Sequence, residues 1–171
     1  MNFGLVLVLL SLWAPPLAAQ VAPYCLPRRE LRLAGLSIGD SPTAVRRRLG
    51  APQSIDSSWV REDTGAHREY SYGYHGLEVV TGPHGVESVY AHDSTSSTPA
   101  GIRVGQTLLE VARRLRASPE LIGRNRPTWT PAICGKRSDQ PTLSFSFTPG
   151  APQAQPVMRL VRIDLEKHIE P

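Results

Sequence analysis

Gly35-Leu36-Ser37-Ile38-Gly39-Asp40-Ser41-Pro42-Thr43-Ala44-Val45-Arg46-Arg47-Arg48-Leu49 aligns with Gly101-Ile102-Arg103-Val104-Gly105-Gln106-Thr107-Leu108-Leu109-Glu110-Val111-Ala112-Arg113-Arg114-Leu115 at an offset of 66 residues (101 − 35). Seven pairs are identical or similar: Gly35/Gly101, Ile38/Val104, Gly39/Gly105, Val45/Val111, Arg47/Arg113, Arg48/Arg114 and Leu49/Leu115. Self-similarity at a fixed spacing sets the structural unit before any motif is read. Each copy opens a helix. In the first, Asp40 or Ser41 can cap, Pro42 suits the first helical position, and Gly50 followed by Pro52 ends it. In the second, Thr107-x-x-Glu110 is a capping box. Val45 with Leu49, and Leu108 with Val111 and Leu115, line one apolar face, with arginines opposite. Helices this short persist only when packed on something else.

Outward from the helices, the hydrophobic period changes from 3.6 to 2. Residues 67–73, 77–81 and 86–91 are β-prone runs separated by Tyr74-His75-Gly76 and Gly82-Pro83-His84-Gly85, a meander with tight turns. Further on, Leu143, Phe145 and Phe147 alternate with serines, and Val161, Ile163 and Leu165 alternate with Arg162, Asp164 and Glu166. These patterns read as antiparallel strands with one wet face. Residues 93–99 form a polar linker, and residues 148–156, rich in Pro, Gly and Gln, a long hairpin loop. The expected fold is α+β: two tandem modules, each a short helix packed on an antiparallel sheet of three to four strands. The modules span 31–93 and 101–171, with 20–30 as an N-terminal segment and 94–100 as the linker.

The leader decides the compartment. An apolar run from Leu5 to Ala14 meets Pro15-Pro16 and then Leu17-Ala18-Ala19, which is the grammar of a secretory signal peptide over 1–19. The run is shorter than the ~20 residues a membrane span needs. No Cys stands in lipobox position, and no later stretch approaches a span. The expected location is therefore periplasmic or secreted, with no membrane span after processing. Residues 1–19 carry no charged side chain, so the mature chain keeps 19 basic and 15 acidic residues, a net of +4. That modest charge, spread along an exported chain, argues against a nucleic-acid partner. An even count of two cysteines, Cys25 and Cys134, makes a disulfide the default expectation, stapling the N-terminal segment to the second module.

Catalytic grammar is missing. There is no Gly-x-Ser-x-Gly elbow, catalytic Cys signature or His-Glu-x-x-His. Glu62-Asp63 and Asp164 with Glu166 read as solvated carboxylates, the first in a polar loop and the second on a strand's solvent face. Of His67, His75, His84 and His92, the meander brings at most two together: His75 with His92 at one end, where Asp93 could add a third ligand, and His67 with His84 at the other. No metal site and no cofactor is expected, since structural zinc takes four ligands. Alternation puts Tyr70, Tyr72 and Tyr74 on one sheet face, as core or as a binding stripe. Arg46, Arg47, Arg113, Arg114 and Arg116 fall on exposed helix faces. Arginine and tyrosine are enriched at interface hot spots, so Tyr70, Tyr72, Tyr74, Arg47, Arg113 and Arg114 are the candidate binding residues.

Ile38-Gly39-x-Ser41 leading to Val45, Leu49-Gly50-x-Pro52, the Tyr72-Gly73-x-x-Gly76-Leu77 hairpin and Gly101-Ile102-x-Val104-Gly105-x-Thr107 carry a resemblance. Over roughly residues 31 to 170 the chain is similar to the tandem helix-plus-three-strand modules of the β-lactamase-inhibitor-protein fold and the small outer-membrane assembly lipoproteins. That resemblance implies binding of another exported protein through a sheet face, or service in envelope assembly. The chain departs from it in lacking a lipidated Cys, and its cysteines do not form a bridge inside each module, so no family binding residue is carried over. The functional expectation is a non-enzymatic exported module that binds a protein or an envelope component; the alternative is a small exported hydrolase whose site is assembled only in space.

Overall fold

The computed structural model describes residues 24–62, 65–119, 122, 128–135, 140–148 and 158–167. The leader, most of the 148–156 loop and Asp63 lie outside the described residues. The chain is α+β, with helices α1 (Pro42–Leu49) and α2 (Leu108–Leu115). Its strands are β1 (Ser54–Glu62), β2 (Gly65–Tyr74), β3 (Leu77–Gly82), β4 (Gly85–Ala91), β5 (Thr128–Trp129), β6 (Thr142–Phe147) and β7 (Leu160–Glu166).

Both helices start where the caps place them. Ser41, rather than Asp40, caps α1 by accepting from the Ala44 amide at 3.2 Å, while Asp40 accepts from the Ser37 amide. Thr107 and Glu110 complete a reciprocal capping box on α2. The segments before the helices are tied to the sheet in the same way. The Gly39 amide donates to Val86 and the Val86 amide to Asp40; likewise the Gly105 amide donates to Leu160 and the Leu160 amide to Gln106. A Cβ on Gly35 would overlap the Arg48 guanidinium, and one on Gly101 would come within 3.0 Å of Arg114 Nη1. In both segments the glycine makes room for the last-turn arginine.

The strands form one antiparallel sheet of seven, in the order β1-β2-β3-β4-β7-β6-β5. Two separate sheets are not what the halves build. Strand β4 pairs with β7 in the register Ser88↔Glu166, Val89↔Leu165, Tyr90↔Asp164 and Ala91↔Ile163. The cause is legible in the residues: Val89, Ala91, Ile163 and Leu165 are each fully buried, and each half's sheet would otherwise leave an apolar edge unpaired. The register aligns Leu77, Val79 and Thr81 with Ala91, Val89 and Val86, and Leu143, Phe145 and Phe147 with Leu165, Ile163 and Leu160. This face and both helices share one core, which α1 enters through Val45 and α2 through Leu108, Val111, Ala112 and Leu115.

Cys25 and Cys134 are bonded, with Cα atoms 4.9 Å apart. Beside the bond, the Leu26 amide donates to Ala132 and the Cys134 amide to Leu26. The N-terminal segment also reaches the linker: buried Glu30 accepts from the Ala100 amide at 2.7 Å.

Candidate binding surfaces

Strand β1 has no counterpart among the expected strands, and it creates the most unusual surface of the molecule. Its register with β2, Ile55↔Tyr72, Ser57↔Tyr70 and Trp59↔Arg68, puts Ile55, Trp59, Tyr70, Tyr72 and Arg68 on the sheet's helix side. Helix α1 covers only the proximal end. There Tyr72 is buried, with the Arg46 guanidinium 6.0 Å above its ring. Beyond it the face is open: Trp59 is 72% exposed, Ile55 53% and Tyr70 39%. Tyr70 stacks beside Tyr72 with centroids 6.5 Å apart, and Arg68 stands 5.8 Å from the Tyr70 ring.

The tyrosine stripe is thus divided among three environments. Tyr72 is core and Tyr70 is surface. Tyr74 is half-buried and lines a cleft of about 500 Å³ with Leu49, Gln53, His75, Leu77 and Ser96. Its hydroxyl is buried without a hydrogen-bond partner, and burial raises its pKa. Arg47 is exposed on α1 beside Asp40. Arg113 and Arg114 are exposed on α2, where Arg114 also donates to the Ala100 carbonyl at 3.3 Å. The described structure brings Arg46 and Arg68, not Arg113 or Arg114, to the aromatic residues.

The opposite sheet face is polar. Ser71 donates to Glu78 at 2.7 Å, and the Tyr90 hydroxyl to Glu166 at 3.0 Å. Asp164 corrects the solvated-carboxylate expectation: it is only 4% exposed, on an interior strand between its register neighbours Tyr90 and Ser144. Arg162 Nε lies 2.7 Å from its Oδ1 and donates to Oδ2 at 3.0 Å. Burial nevertheless raises the Asp164 pKa, with the arginine opposing the shift. Glu62 ends β1 rather than lying in a loop. The histidines separate by end: His75 approaches Asp93 at 3.6 Å, whereas His67 and His84 line a cavity of about 420 Å³ with Glu87 and Lys167.

Sequence reading missed Ile55, Trp59 and Arg68 as members of one surface. The available signal was Ile55 and Trp59 on one face with polar Ser54, Asp56 and Ser58 on the other, interrupted by Ser57 and Arg61 on the apolar face.

Fold and surfaces together define an α+β protein on a single antiparallel sheet, helix-covered on one side and polar on the other. It is similar in structure to the uncharacterized protein YfeY from Escherichia coli, with a TM-score of 0.50, 9% identity, and coverage of 84% of this chain and 100% of that one. An extracellular protein containing an SCP domain from Bacillus anthracis also matches, with a TM-score of 0.42, 10% identity, and coverage of 76% of this chain and 44% of that one. No protein-family model matches the chain, and no curated protein matches it in sequence. At these identities the likeness to YfeY concerns the fold alone. Among the described residues, no helix is long and apolar enough to cross a membrane.

Proposed function

We propose that the chain is an exported, non-catalytic binding protein that engages an acidic face of another exported or envelope protein through the open end of the β1–β2 hairpin. One observation carries this reading: Trp59, 72% exposed, stands with exposed Ile55 and Tyr70 on the face that elsewhere forms the core. Large exposed apolar side chains gathered on one sheet face and rimmed by polar residues mark an interaction site more often than a bare solvent face. Arg46 and Arg68 beside the aromatics supply the charge that selects an acidic partner, and tryptophan, tyrosine and arginine dominate interface hot spots. Strand β1 is an edge of nine residues, so a partner strand could extend the sheet there.

Export is supported by the leader grammar of residues 1–19 and by the disulfide, which persists in oxidising compartments. The resemblance of the two helix-opening segments to the inhibitor-protein and assembly-lipoprotein modules supports both the binding role and a reading of the halves as repeated units sharing one sheet.

The test uses mature, disulfide-bonded protein as bait on the native organism's envelope fraction, followed by affinity measurement with the retained partner. Trp59→Ala and Arg68→Glu are each expected to weaken binding about tenfold or more, and added salt to weaken it further. Arg113→Ala, on the other helix, is expected to change it little. Equal affinity for wild type and both hairpin variants would overturn the assignment of this surface. Turnover in a broad hydrolase screen without any specific partner would replace it with the enzymatic reading.

A further inference from the structure

On the polar face, the sheet gathers three metal-ligating side chains from two strands. His67, Glu69 and Glu87 each present a ligand atom, and these atoms all lie within 4.8 Å of one another. The register explains the meeting. His67 and Glu69 are two apart on β2 and so share a face, while a shift between Val80 and Thr81 on β3 lets Glu87 of β4 turn onto that face. Gly82 makes the approach possible, since a Cβ there would overlap the Glu87 carboxylate.

The cluster is unsatisfied as it stands. His67 Nε2 is buried without a hydrogen-bond partner, although Glu69 Oε1 lies 3.4 Å away. The side chains of His67, Glu69 and Glu87 are only 17%, 21% and 13% exposed. Two carboxylates share one half-buried site with a single imidazole. Lys167 is the nearby counter-charge, with its Nζ 3.8 Å from Glu87 Oε1, beyond hydrogen-bond length, on a side chain that is 40% exposed.

We infer that His67, Glu69 and Glu87 bind one divalent cation of the zinc class, tying β2 to β4 across β3 on the face opposite the proposed docking surface. The donor set selects the metal. One imidazole with two carboxylates suits zinc or cobalt, whereas calcium takes six to eight oxygens and magnesium keeps an octahedral shell of waters. Three protein ligands leave a fourth position, and the adjoining cavity, lined by His84, gives water or that imidazole access to it. The sequence expectation paired histidines and weighed Asp93 beside His92 as a third ligand, at the other end of the sheet; it did not bring Glu69 and Glu87 to His67.

The experiment is equilibrium dialysis of tag-free, disulfide-bonded, chelator-stripped protein against cobalt(II), with visible absorption recorded for coordination geometry. Wild type and His75→Ala, altered at the other end of the sheet, are expected to retain one ion per chain with the intense bands of a four-coordinate site. His67→Ala and Glu87→Gln are each expected to lower affinity about tenfold or more while keeping the wild-type circular dichroism spectrum. The isosteric glutamine keeps the test meaningful should the alanine variant fold poorly. Absence of cobalt retention by wild type, or equal retention by both variants, overturns the site.

Discussion

Gly85 opens β4 with φ at +100°, and a Cβ on it would stand 2.6 Å from the Gly39 carbonyl oxygen and 2.7 Å from that of Asp40. Those carbonyls belong to the segment that leads into α1, and they cannot withdraw without breaking the Val86-to-Asp40 hydrogen bond. Gly85→Ala therefore combines left-handed backbone strain with overpacking against backbone, and is expected to cost about 2 to 4 kcal/mol in urea unfolding. Asp164 gives a residue-scale prediction of a different kind. Its folded pKa is raised, chiefly by burial, so the charged form costs stability above that pKa, and the cost is relieved as pH falls through it towards the unfolded value. Asp164→Asn lacks this relief. The wild-type urea midpoint, taken relative to that of Asp164→Asn, is thus expected to rise on acidification; a relative fall would contradict the burial argument.

At the scale of elements, the two helices look equivalent in sequence and are not equivalent in packing. Leu115 is buried on α2 alongside Leu108, Val111 and Ala112, whereas on α1 only Val45 is fully buried and Leu49 faces the cleft beside Tyr74. Leu115→Ala is expected to cost about 2 to 5 kcal/mol, and Leu49→Ala distinctly less. Equal losses in chemical denaturation would count against the asymmetry. Helix bounds were legible because caps and stops are local signals: Ser41, Pro42, Gly50 and the Thr107/Glu110 pair act within a few residues of themselves. Strands β2, β3, β4, β6 and β7 were legible because alternation records which face is buried. Strand β1 was not, because neither of its faces is covered and burial left no pattern in it. The same absence left Ile55 and Trp59 unassigned to a common surface. The His67/Glu69/Glu87 cluster was hidden for a further reason, since it depends on a register shift that no residue type announces.

At the scale of the molecule, the two halves are joined twice. The Cys25–Cys134 bond spans 109 residues, for which chain entropy gives about 4 to 5 kcal/mol before any strain. The β4–β7 pairing then makes the sheet continuous, with Val89, Ala91, Ile163 and Leu165 sealed in the common core. Continuity is what gives the protein two chemically opposite faces: arginines and uncovered aromatics on the helix side, carboxylates on the other. An even cysteine count sufficed to pair the cysteines, but joining the halves required a long-range register between residues that lie 72 to 78 apart in sequence, which local pattern does not encode. Native-state amide hydrogen exchange tests this arrangement most directly. The sheet amides of Val89 to Ala91 and Ile163 to Leu165 are expected to be among the slowest in the molecule, exchanging only with global unfolding. Fast exchange along that seam, with protection retained inside β2–β3 and β6, would contradict the single sheet.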